Sequence, residues 1–122
     1  VACAGCVDPY NPKAVRASAG ALFSLPLVRG GTPDDVVEGL RSSGFAVWGT
    51  AVDGEVDYLS APLGDDVALV LGNEANGLPA DVSGRLDGNL TIPMAPGNES
   101  LNVAMTATIL CFEAARRRRA AN

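Results

Sequence analysis

Val67-Ala68-Leu69-Val70-Leu71 is an unbroken apolar run that stops at Gly72. A run this short, rich in branched side chains and closed by glycine, fits a strand covered on both faces, as in a parallel sheet. Parallel neighbours need a crossover connection, usually a helix, so this run commits the chain to alternating strands and helices. The flanking sequence agrees. Residues 46–52 and 90–92 read as further strands, and residues 1–4 and 25–28 as shorter ones. Asn11-Pro12 reads as a cap followed by proline at the first helical position, opening a helix to about Ala21. Thr32-Pro33-Asp34-Asp35 opens a second helix, with Val36, Val37 and Leu40 on its apolar face and Gly44 suited to the left-handed position after its end. Residues 53–64 form a polar connection with room for a short edge element. From Leu101 the spacing of Val103, Ile109, Leu110 and Phe112 predicts a long helix to about Arg118. The expected class is α/β, a mostly parallel sheet flanked by helices.

Composition narrows the chemistry. The 122 residues, 48% hydrophobic and 19% charged, suit a single globular domain. No apolar stretch approaches the ~18 residues of a membrane span, and residues 1–6 lack the pattern of a secretory signal. There is no histidine, which removes Ser-His-Asp and Cys-His catalysis. Cys3 and Cys6 form a C-x-x-C without a second ligand pair, so these and Cys111 read as plain thiols of a reducing cytoplasm, and no metal site is expected. A net charge of −5 argues against broad, unspecific nucleic-acid binding. The run Arg116 to Arg119 stays open between a solvated helix end, complementing the dipole, and a contact to RNA phosphate.

Two segments carry chemistry. Gly72-Asn73-Glu74-Ala75-Asn76-Gly77 follows directly on the buried strand. Ligands in open α/β sheets sit at the carboxyl ends of strands; there Gly72 permits close approach of a ligand to the backbone, and Glu74 places a carboxylate beside it. Ordinary turn punctuation explains the same residues. Ile92-Pro93-Met94-Ala95-Pro96-Gly97-Asn98-Glu99-Ser100-Leu101-Asn102 is a stiff loop between a strand stopped by Pro93 and the last helix, which Asn98 or Ser100 can cap. Such a loop can hold an adenine edge with main-chain hydrogen bonds. Neither segment is a P-loop or a Gly-x-Gly-x-x-Gly fingerprint.

Together the segments resemble the SpoU family of RNA methyltransferases. Leu69-Val70-Leu71-Gly72-Asn73-Glu74-Ala75-Asn76-Gly77-Leu78 is similar to its second motif, and Ile92-Pro93-Met94 through Ser100-Leu101-Asn102-Val103-Ala104 to its third. Residues 7–23 resemble the segment that links its first motif to the rest. The resemblance implies an α/β fold whose C-terminal segment is threaded into a deep trefoil knot, a rare exception to unknotted topology. It implies S-adenosylmethionine as cofactor and transfer of its methyl group to a ribose 2′-hydroxyl of ribosomal or transfer RNA. By motif position, Leu71, Gly72, Ile92 and Leu101 belong to the cofactor site, with Thr50 and Ala51 lining it and Pro93, Met94 and Ala104 as apolar walls. Glu74, Ser100 and Asn102 match the polar positions facing the ribose and the methyl donor. A cytoplasmic homodimer packed through the C-terminal helix is implied as well, with Ala104, Ala107, Ala114 and Ala115 allowing close approach.

The family's first motif is an Asn- and Arg-bearing strand–helix segment whose Arg activates the 2′-hydroxyl. The expectation is that the chain begins just past it, with Arg16 in the following helix, as a single methyltransferase domain truncated at its N-terminus. A non-catalytic RNA-binding or dimerisation module that keeps the knot is the alternative.

Overall fold

The computed structural model describes residues 1–73, 76–98 and 100–121. It divides into two compact units, Val1–Val36 and Val37–Asn122.

The first unit is sparse in regular structure. Helix α1 (Pro12–Ala17) is capped by Asn11, whose side chain accepts from the Ala14 N–H at 2.9 Å. It ends sooner than expected, because Ala19 and Gly20 adopt positive φ (48° and 87°) and pass the chain into a 3₁₀ turn, Ala21–Ser24. The strands expected at residues 1–4 and 25–28 shrink to a single parallel bridge between Ala2 and Arg29. Ala2 N–H donates to Val28 C=O at 2.8 Å, and Gly30 N–H to Ala2 C=O at 2.9 Å. Arg29 stands over the Tyr10 ring at 5.7 Å and faces Asp8 at 3.6 Å.

Helix α2 (Pro33–Ser42) starts and stops as its sequence dictates. Thr32 Oγ1 accepts from the Asp35 N–H at 3.2 Å and donates to the Asp35 carboxylate at 2.8 Å. At the other end Gly44 has φ 89°, and the Gly44 and Phe45 N–H groups donate back to Arg41 and Leu40 carbonyls, a Schellman termination.

In the second unit four strands, β1 (Ala46–Thr50), β2 (Val56–Asp57), β3 (Val67–Val70) and β4 (Gly88–Thr91), form one sheet in the order β2-β4-β1-β3. All three pairings are parallel, with Trp48 opposite Leu69 on one side and opposite Gly88 on the other. The expected edge element in residues 53–64 is β2. Alternation along the strands separates two apolar layers. Val47, Ala68 and Val70 pack with Val37 and Leu40 of α2, and with Val82 of the short helix α3 (Ala80–Ser83). Ala46, Trp48, Val67, Leu69 and Leu90 pack on the opposite side with Ala61, Leu63, Leu110 and Ala114. The parallel sheet is therefore covered on both faces, as the apolar run requires.

Helix α4 (Val103–Ala121) supplies Leu110 and Ala114 to that second layer. Its cap is Asn102, not Asn98 or Ser100: Asn102 Oδ1 accepts from the Ala104 N–H at 2.8 Å. Phe112, expected on the packed face, is 71% exposed, because Leu110, Glu113 and Ala114 define the buried stripe. The arginine run does more than either sequence reading foresaw. Arg116 and Arg117 close on the buried Glu113 at 2.8 and 2.7 Å. Arg117 also donates to the carbonyls of Tyr58, Leu59 and Ala61, and Arg118 lies 3.7 Å from Asp65. Two of the four arginines thus brace α4 from within, and one of these ties it to the loop after β2.

Candidate functional site

The carboxyl ends of β1, β3 and β4 open on one side of the sheet into a cavity of about 740 Å³, within the usual range for small-molecule sites. Three segments wall it: the turn after β1, the loop after β3, and the stiff loop between β4 and α4.

Eight expected site residues come together on its wall: Thr50, Ala51, Gly72, Ile92, Met94, Ser100, Leu101 and Asn102. Leu71, Pro93 and Ala104 do not line it. Leu71 and Pro93 are exposed next to lining residues, since neighbours in an extended chain point to opposite sides. Ala104 sits exposed in the first turn of α4. Glu74 lies outside the described residues.

Gly72 needs to be glycine for the sake of its own loop as well. A Cβ there would overlap the Gly77 carbonyl carbon and come within 2.7 Å of the Gly77 oxygen and the Leu78 nitrogen. The close approach is made by its own loop, which folds back through paired bonds between Asn73 and Gly77 of 3.1 and 2.7 Å.

The sequence reading missed the polar floor. Asn89 on β4 and Ser83 on α3 both line the cavity, and the Asn89 amide donates to Ser83 Oγ at 3.3 Å. Asn89 gains its room from Gly49, where a Cβ would lie 2.5 Å from Asn89 Oδ1. A glycine in mid-strand opposite an asparagine is the signal that could have found this pair. Below it, Glu55 accepts from the Asn89 N–H at 2.8 Å, and that bond holds its carboxyl below the usual range. Thr106 completes the wall from α4, and Asp53, just past β1, is the one charged side chain among the described lining residues.

The wall is thus mostly neutral. It offers amides, hydroxyls and main chain over apolar patches from Leu90, Ile92, Met94 and Leu101. Among the described residues, the loop between β4 and α4 makes one internal backbone bond, Asn98 N–H to Ala95 C=O at 3.2 Å. Ile92, Met94 and Leu101 of this loop line the cavity. No group of three or more metal-ligating side chains occurs among the described residues, and no helix there is long and apolar enough to cross a membrane.

Known proteins are similar to this chain in sequence and fold. The 23S rRNA (guanosine(2553)-2′-O)-methyltransferase RlmP of Bacillus subtilis is 38% identical over 108 residues, 88% of this chain and 43% of that protein. The 23S rRNA (uridine(2479)-2′-O)-methyltransferase of Streptomyces viridochromogenes is 40% identical over 116 residues, 91% of this chain and 40% of that protein. The chain thus spans about two fifths of the length of these relatives. The crystal structure of the SpoU methyltransferase AviRb from Streptomyces viridochromogenes with the cofactor AdoMet superimposes with a TM-score of 0.83 at 38% identity, covering 94% of this chain and 45% of that one. The AdoMet-bound rRNA methyltransferase from Sinorhizobium meliloti superimposes with a TM-score of 0.86 at 33% identity, covering 94% and 44%. The family model described as SpoU rRNA Methylase family matches residues 1–112. The chain belongs to the SpoU rRNA methylase family.

Proposed function

We propose that the chain is the cofactor-binding part of an S-adenosylmethionine-dependent RNA ribose 2′-O-methyltransferase acting on ribosomal RNA. The observation that carries this reading is the meeting of the loop at Gly72 with the segment from Ile92 to Asn102 around one cavity. The wall fits the cofactor: main chain for the adenine edge, apolar side chains for its faces, amides and hydroxyls for its polar arms. When bound, the cofactor supplies a sulfonium-activated methyl group. A ribose 2′-hydroxyl is a weak nucleophile, so the chain's task is positioning. Ser100 and Asn102 orient the ribose or the methionine arm from the start of α4, and Glu74, outside the described residues, is read from its motif position as a further polar group. Ribosomal rather than transfer RNA is favoured by the names of the two curated relatives.

Asn11 and Arg16 are of the residue types that the family's Asn- and Arg-bearing segment carries. Asn11 caps α1 and Arg16 lies in its last turn. Threading of the C-terminal segment into a trefoil knot, a homodimer packed through α4, and a cytoplasmic site of action belong to the same reading. The dimer is supported by Met105 and Phe112, 61% and 71% exposed on the outer face of α4.

The test uses the purified chain and S-adenosylmethionine carrying a tritiated methyl group. Label should enter 23S ribosomal RNA at a ribose and protect the adjoining phosphodiester from alkaline cleavage. Isothermal titration that detects no cofactor binding to the folded chain refutes the reading.

A further inference from the structure

We infer that Asp53 is the acceptor for the ribose diol of the bound nucleoside, an inference that rests on the reading of the cavity as a cofactor site. Among the described lining residues Asp53 alone is charged. Its carboxylate makes no hydrogen bond or ion pair with a described residue, whereas its neighbours are committed: Glu55 to the Asn89 N–H and Asp57 to the Leu59 N–H. The turn that carries it is held at several points. Ala51 N–H donates to Leu90 C=O at 3.0 Å, Gly54 N–H to Ala51 C=O at 3.3 Å, and Thr91 Oγ1 to Val52 C=O at 2.8 Å. Gly54 lies so close to β4 that a Cβ would come within 2.7 Å of the Asn89 oxygen.

A carboxylate carried on a braced turn at a strand end suits one ligand feature, two adjacent hydroxyls. Each O–H donates to one carboxylate oxygen, and no charge on the ligand is needed. An amide presents a single acceptor oxygen and no charge, so it holds the same pair less well. Carboxylates beyond strand ends do the same for ribose hydroxyls in other α/β nucleotide sites. The bracing fixes the backbone at Asp53 before the ligand arrives, which limits the ordering cost of binding to the exposed side chain.

Isothermal titration tests this with three ligands: S-adenosylmethionine, S-adenosylhomocysteine, and the 2′,3′-dideoxy analogue of the latter. Asp53→Ala should weaken the first two equally, by roughly tenfold or more, the scale of a hydrogen bond to a charged group. Asp53→Asn should fall between. The dideoxy analogue should bind the variant and the unaltered chain alike. Unchanged affinity in Asp53→Ala, or weakening confined to the sulfonium ligand, overturns the assignment and leaves the cofactor reading standing. An unaltered chain that binds none of the three removes both.

Discussion

Gly49 and Asn89 lie opposite each other on β1 and β4, and the missing side chain of the first makes room for the amide of the second. A Cβ on Gly49 would also meet Leu86 at 2.6 Å and Leu78 at 2.9 Å. Gly49→Ala is expected to destabilise the chain by about 1–3 kcal/mol, the range for overpacking, and to push Asn89 into the cavity. Urea unfolding and cofactor titration should both show loss. A variant with native stability and affinity would mean that the floor yields freely.

Gly72→Ala forces the loop of residues 72–78 apart, because the obstacle is the Gly77 backbone and not a mobile side chain. The expected result is at least about tenfold weaker cofactor binding, with the far-ultraviolet dichroism of the sheet kept. Binding like that of the unaltered chain would show that this loop is not part of the grip.

Asn102 has two separable duties. As the cap of α4 its replacement by alanine should cost about 1 kcal/mol. Asn102→Asp keeps the capping oxygen and removes the amide donor. Restored stability without restored methyl transfer assigns the amide to the reaction. Recovery of both would leave only the cap.

Glu113 is held below its ordinary value of 4.5, at about 2, by hydrogen bonds from Arg116 and then Arg117. A depressed carboxyl stabilises the folded state fully above its unfolded pKa, and the contribution is lost as pH falls through the folded one. Stability should therefore decline between pH 4.5 and 2, and Glu113→Gln should flatten that decline. Thermal unfolding followed across this window checks it. Arg117→Ala should lower the midpoint at neutral pH as well, since the carbonyls of Tyr58, Leu59 and Ala61 lose their donor.

Leu110 and Phe112 sit two residues apart on α4 with opposite fates. Leu110→Ala opens a void in the core and should cost about 2–5 kcal/mol. Phe112→Arg should leave the folded protomer intact and abolish self-association in sedimentation velocity. A dimer that survives Phe112→Arg together with Met105→Arg would move the interface elsewhere.

Much of this was legible beforehand. The unbroken run at residues 67–71 fixed a two-sided strand, and Thr32-Pro33 and Gly44 marked both ends of α2, because local rules decide such features. The cavity wall could be read from the two loop motifs. What escaped depended on contacts between distant segments. Asn89 reads as a poor strand residue until Gly49 is placed beside it, and four consecutive arginines read as a charge patch until Glu113 is found beneath two of them. Asn102 was passed over as the cap because the helix begins at Val103, two residues later than its spacing suggests. Strand limits shifted by a residue or two, since pairing rather than hydrophobicity sets where a strand stops.

No strand of the sheet is hydrogen-bonded to the one that precedes or follows it in the chain. The sheet therefore cannot grow hairpin by hairpin, and every pairing closes a long loop before it gains anything. During synthesis β1 and β3 can meet early, but β2 has no partner until β4 has left the ribosome and slipped between it and β1. Assembly should thus be slow and finish late, and the half-built sheet, with strand edges bare, is the stage at which a chaperone would matter most.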